Sequence, residues 1–186
     1  MTWRNFLKIA LLWTLCFLFR LFPFRVPNVE PILAAQMPLS RQSGAVSGFL
    51  FGFLSIFFFD VFTMRVGWWT LITALMYGFL GLLASRYLHS RSSRASYVTF
   101  AVVGTLLYDA VTGLTVGPLF FGQSLLLAAL GQIPFTLAHL LGNVVFALTL
   151  SPLIGGWLGE RRGSDIPNAI PQGLFVEVKN VYNKYV

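Results

Sequence analysis

The sequence predicts an all-α membrane protein of about six transmembrane helices, and three observations predict it. Of 186 residues, 56% are apolar and 10% charged, against about 25% charged in an ordinary soluble domain. The mean hydropathy is +0.75. Apolar runs near the roughly 20 residues needed to cross a bilayer recur along the chain. Nineteen Phe and five Trp suit lipid-facing and interfacial surfaces. These features exclude a water-soluble globule. One membrane domain is expected over residues 1–160, with a polar tail over 161–186.

The first span, Phe6 to Phe22, follows Arg4 and Lys8. Arg20 and Arg25 come next with no small-x-small cleavage pattern, so the segment reads as an uncleaved helix and not a signal peptide. In Pro27-Asn28-Val29-Glu30-Pro31 the two prolines forbid a continuous helix. A short crossing over Ile32–Leu39 leads into a span from Ser43 to Phe62. Further spans are expected over Trp68–Tyr87, Ser96–Val111 and Ile133–Leu158.

Orientation follows from the rule that Lys and Arg in short loops mark the cytoplasmic side. With the N-terminus inside, ten basic residues are cytoplasmic: Arg4, Lys8, Arg41, Arg86, Arg91, Arg94, Arg161, Arg162, Lys179 and Lys184. Arg20, Arg25 and Arg65 lie outside. A full crossing by Leu119–Leu130 would change that division to six in and seven out. This segment is therefore expected to be a short re-entrant half-helix on the outer side, leaving both termini cytoplasmic. In the tail, Leu174, Val178, Val181 and Tyr182 recur at helical spacing. An amphipathic surface helix and a loosely ordered tail both fit that pattern. The net charge of +7 thus reports orientation, with no nucleic-acid partner implied.

Phe59-Asp60-Val61-Phe62-Thr63 recurs as Tyr108-Asp109-Ala110-Val111-Thr112, with the aspartates 49 residues apart and a Val-Gly pair after each. Both aspartates are expected to end a span on the outer side, as in parallel duplications whose sites form between repeats. Each reads either as a helix-end pairing group, Asp60 with Arg65 for example, or as a group contacting substrate. Arg20 reads either as snorkelling to the interface or as facing a cavity. Gln132, Thr136, His139 and Asn143 are spaced by four, three and four residues and share one stripe of an apolar helix. Lipid cannot satisfy such a row, so it faces protein or water. A ligand-lining face and an interhelical hydrogen-bond seam are the two readings. Gly44-x-x-x-Gly48-x-x-x-Gly52 lets another helix approach closely, within this chain or from another subunit. Trp68 and Trp69 suit the aromatic belt or, with Tyr77 in the same span, a stacking surface for a flat ligand.

Enzyme chemistry finds little support. His139-x-x-x-Asn143 resembles the His-x-x-x-Asn helix of rhomboid intramembrane proteases, but Ala45-Val46-Ser47-Gly48 has alanine where the nucleophile motif has glycine. His89 sits beside the Arg cluster, so no second histidine is placed to act as base. There is no phosphate-binding loop. The lone Cys16 and two distant histidines offer no disulfide framework or metal constellation. No catalytic residue and no metal or cofactor on this chain are expected.

Size, six spans, the Pro27–Pro31 block, the glycine-stepped third span ending in Asp60, and Gly67-Trp68-Trp69-Thr70 opening the fourth together resemble the substrate-binding S component of energy-coupling-factor vitamin transporters. The resemblance implies a protein of the bacterial cytoplasmic membrane that captures a vitamin-like solute from outside. It also implies a membrane-embedded coupling subunit and two ATP-binding subunits, with ATP used only by those partners. Small residues on the first span commonly meet the coupling subunit in that family, and Ala10-x-x-x-Thr14 is the nearest pattern here. Substrate contacts are expected from Asn28, Glu30, Asp60, Trp68, Trp69, Tyr77, Asp109, Gln132, His139 and Asn143, under loops at Pro27–Pro31 and Gly113–Pro118. Rod-shape-determining membrane scaffold proteins also resemble this chain in size and in a glycine-stepped span ending in aspartate. That alternative needs no ligand pocket.

Overall fold

The computed structural model describes residues 3–159, and among them there are helices and no strand. The elements are α1 (Trp3–Leu21), α2 (Ile32–Ser43), α3 (Ala45–Phe62), α4 (Trp68–Leu88), α5 (Arg94–Phe121) and α6 (Leu125–Leu158). Helices α3 to α6 are each long and apolar enough to cross a membrane, so the chain has the character of a membrane protein. Arg4, Lys8 and Arg20 interrupt α1, and α2 has only 12 residues. The expected tail helix falls in 161–186, outside the described residues.

Contacts between helix ends fix the bundle's two poles. Lys8 near the start of α1 donates to the Trp157 carbonyl near the end of α6. Arg41 at the end of α2 donates from Nε to the Leu88 carbonyl at the end of α4, at 2.9 Å. At the opposite pole, Arg20 of α1 donates to the Ser55 carbonyl of α3 at 3.1 Å. Thr70 of α4 donates to Asp60 of α3 at 2.6 Å. Among the described residues, one pole therefore carries Arg4, Lys8, Arg41, Arg86, Arg91 and Arg94, while Arg20, Arg25, Glu30, Asp60 and Arg65 gather at the other.

Helix α2 is the hub. Every residue from Ile32 to Ser40 is buried, although the segment includes Gln36 and Ser40. Both polar side chains donate to neighbouring backbone, while Gln36 Oε1 is buried without a hydrogen-bond partner among the described residues. Gln36 Nε2 donates to the carbonyls of Gly48 (2.9 Å) and Tyr77 (2.8 Å), joining α2 to α3 and α4. Ser40 donates to the Gln36 carbonyl at 2.7 Å, and Ser151 of α6 donates to the Ala34 carbonyl at 2.9 Å. On a short helix buried within the bundle, the donor groups recover in bonds to backbone what they lose in leaving water.

The glycine steps pack inside this chain. A Cβ on Gly48 would meet the Gly81 carbonyl of α4 at 3.1 Å, and one on Gly52 would meet the Tyr77 carbonyl at 2.7 Å. Small residues let the α3 and α4 backbones approach this closely. Gly44 has a different role. It lies in the α2–α3 junction at φ +89°, a left-handed conformation that glycine adopts freely.

The expectation of a re-entrant half-helix over Leu119–Leu130 is corrected. Helix α5 continues through Gly113–Pro118 to Phe121, and α6 starts at Leu125, so the two form a helical hairpin with no re-entrant half-helix and no capping loop at 113–118. The turn explains the difference. Gly122 takes φ +63° and closes α5, and the Ser124 hydroxyl accepts the Leu127 N–H at 3.2 Å to open α6. This is a left-handed glycine C-cap followed directly by a serine N-cap. The 34 residues of α6 span about 51 Å at 1.5 Å each, well beyond a hydrocarbon core of about 30 Å. Asp109, expected at a span end, lies in the middle of α5.

Candidate functional site

The extra length of the α5–α6 hairpin borders an open cleft of about 540 Å³ against α4. Glycines create the room. A Cβ on Gly113 would collide with the Gln132 side chain, and one on Gly117 would meet Gln123 Cδ at 3.2 Å. Each glutamine therefore occupies a place vacated by a glycine one helical turn from the other. Gly131 on the facing helix has open space where a side chain would project. Thr73, Tyr108, Thr112, Gln123 and Gln132 supply hydroxyl and amide groups among walls that include Phe121 and Phe135. Gln132 Nε2 donates to Thr136 Oγ1 at 3.2 Å, which orients the amide along α6. Among the described residues no charged side chain lines the cleft.

Below the cleft lies a buried polar ladder. The Tyr108 ring is 4.7 Å from Tyr77 and 5.8 Å from His139, edge-on to both. His139 Nδ1 is 2.8 Å from Asp109 Oδ1. One turn further, Asn143 Nδ2 donates to Thr105 Oγ1 at 2.8 Å. The four-residue spacing on both helices sets the rungs one above the other. The predicted stripe is thereby divided, with Gln132 on the cleft wall and His139 and Asn143 committed to α5. Asp109 Oδ2 and Asn143 Oδ1 are buried without a hydrogen-bond partner among the described residues.

The two copies of the repeat perform different tasks. Thr63 and Thr112 each donate to the carbonyl four residues earlier, Phe59 and Tyr108, at 2.8 Å. The aspartates diverge. Asp60 accepts from Thr70, whose hydroxyl also accepts the Gly67 N–H at 3.2 Å, so this carboxylate anchors the start of α4. Its partner is Thr70, not the Arg65 side chain. Gly67 precedes α4, whereas Gly117 lies within α5.

Glu30 belongs to a clamp. Its carboxylate is 3.1 Å from Arg20 Nε and 3.4 Å from Arg25 Nη1. Arg20 also lies over the Phe59 ring at 3.9 Å, and Arg25 Nε donates to the Arg20 carbonyl at 3.0 Å. The link after α1 is thus tied to α1 and α3, with Asn28 at φ +64° in its turn.

The remaining predicted residues do not line the cleft. Trp69 contacts the rings of Phe120 and Phe121 at 6.5 and 5.4 Å, while Trp68 is 74% exposed beside a separate depression with Phe57 and Leu71. Tyr77 is buried behind Tyr108. On α1, Ala10 is half-buried and Thr14 exposed. Of the ten residues expected to contact substrate, Gln132 alone is on the cleft wall. Thr73, Thr112, Gln123 and Phe135 were not expected there. The signal that could have found them is Gly113-x-x-x-Gly117 facing Gln132. Among the described residues no group of three His, Cys, Asp or Glu side chains could hold a metal ion. No family model matches the chain, and no curated protein or solved structure matches it.

Proposed function

We propose that the chain captures a small, vitamin-like solute within the membrane, as the substrate-binding component of an energy-coupling-factor transporter. The observation that carries this reading is the cleft of about 540 Å³, which lies within the roughly 300–1,000 Å³ range of small-molecule sites. Its hydroxyl and amide groups suit an uncharged heterocycle that hydrogen-bonds through its edge. The cleft lies toward the pole opposite the Arg4–Arg94 cluster. With that cluster cytoplasmic, the cleft faces outward, α1 and α2 cross the membrane with the other four helices, and both termini are cytoplasmic. The setting is the bacterial cytoplasmic membrane. A coupling subunit and two ATPases supply the energy, and this chain performs no catalysis.

A scaffold of the rod-shape-determining type is the second reading. It is favoured by one specific observation: Asp60, Asp109 and His139 are all occupied by partners within the chain. Purification of the full chain followed by mass spectrometry of bound small molecules separates the two. The solute reading expects a stoichiometric heterocycle, or a rise in thermal stability with one member of a vitamin panel. Absence of both results overturns it in favour of the scaffold.

A further inference from the structure

The geometry points to a binding site for one anionic glycerophospholipid on the α4–α5 face at the basic pole. An apolar groove of about 470 Å³ runs between these helices, lined by Leu83 and Tyr87 on one side and Phe100 and Val103 on the other, with Arg86 and Arg91 also on its wall. The Tyr87 and Phe100 rings meet at 5.8 Å. Arg91 is held in place, with its guanidinium 4.8 Å from the Tyr87 ring centre and Nη1 donating to the Tyr87 carbonyl at 2.9 Å. Arg86 also lines a second depression of about 620 Å³, with Ser85, His89 and Ser90. It therefore stands between a polar recess and the apolar groove.

Charge determines the occupant. The carboxylates among the described residues, Glu30, Asp60 and Asp109, all lie elsewhere in the bundle, so none balances Arg86 and Arg91. A phosphodiester fits between two guanidinium groups by paired hydrogen bonds. A zwitterionic headgroup brings its own cation into a site already rich in arginine, so an anionic headgroup is preferred. In the assigned pose the phosphate rests between Arg86 and Arg91, the glycerol hydroxyls reach Ser85 and Ser90, and one chain lies along Leu83, Phe100 and Val103. This inference does not depend on the cleft or its solute.

The test uses the purified full chain in detergent, titrated with phosphatidylglycerol, phosphatidylcholine of the same chains, or inorganic phosphate, and read by native mass spectrometry and thermal stability. Phosphatidylglycerol is expected to bind about tenfold more tightly than phosphatidylcholine. The R86Q/R91Q double variant should lose that preference. V103W, at an exposed groove position, should weaken retention of the lipid while leaving the unfolding transition of the lipid-free chain in place. Equal binding of the two lipids, an undiminished preference in R86Q/R91Q, or unchanged retention in V103W overturns the site. Full protection by inorganic phosphate alone also overturns it, because it would leave the groove without a role.

Discussion

His139 Nδ1 and Asp109 Oδ1 lie 2.8 Å apart at the centre of the α5–α6 interface, and both side chains are almost entirely buried. Neither is open to bulk solvent that could replace the other. His139→Leu should therefore destabilise the protein by about 3–5 kcal/mol, the usual cost of removing one member of a buried pair. The double variant Asp109→Leu/His139→Leu removes both polar groups and should recover part of that loss. Denaturant unfolding of the four proteins in a thermodynamic cycle measures the coupling. A double variant whose loss equals the sum of the two single losses would show that the two residues do not act as a pair.

Gln36 offers a sharper test of polarity in the core. Its Nε2 donates to two carbonyls on two different helices. Gln36→Leu loses both bonds, and about 2 kcal/mol is expected at roughly 1 kcal/mol each. Gln36→Glu keeps the shape but turns a carboxylate oxygen toward the Gly48 and Tyr77 carbonyls. Glutamate should thus be the more destabilising substitution, although it resembles glutamine more closely. Thermal unfolding at neutral pH decides the order.

The glycine contact between α3 and α4 leaves no room for a side chain. A Cβ on Gly81 would overlap the backbone of Gly48, whereas one on Gly156 meets nothing within 4 Å. Gly81→Leu should cost at least about 3 kcal/mol because the helices must separate. Gly156→Ala should be neutral or stabilising by about 0.5–1 kcal/mol through helix propensity. The two midpoints, measured side by side in the same detergent, test whether close backbone approach holds this pair together.

These residues also show what the sequence made legible. Helical spacing revealed that Gln132, Thr136, His139 and Asn143 share a face, because 3.6 residues per turn is a property of the single helix. It could not reveal that Thr105 and Asp109 on α5 carry the matching spacing, since register between helices is set by packing. The glycine steps were readable as a close approach, but Gly81 on the opposing helix identifies the partner only in three dimensions. The hairpin turn is legible in the sequence. Gly122 two residues before Ser124 is a helix stop followed by a helix start, and it outweighs the charge-based argument for a re-entrant piece. Asp60 and Asp109 matched as letters while their surroundings did not, one lying at a helix end and the other at mid-helix.

The cleft itself can be tested by filling it. Gly131 lines the cleft, and a side chain there would project into open space. Gly131→Phe should therefore fold as the parent does, while the ring occupies volume a solute would need. Gly156→Phe is the matched control, with the same substitution on the same helix, open space around it, and no part in the cleft. Both changes carry similar helix-propensity effects, so a difference between them reports the cleft. Solute capture at this site predicts that Gly131→Phe loses the bound heterocycle, or the vitamin-induced rise in unfolding temperature, while Gly156→Phe retains it. Equal retention by both would place any bound solute elsewhere on the molecule.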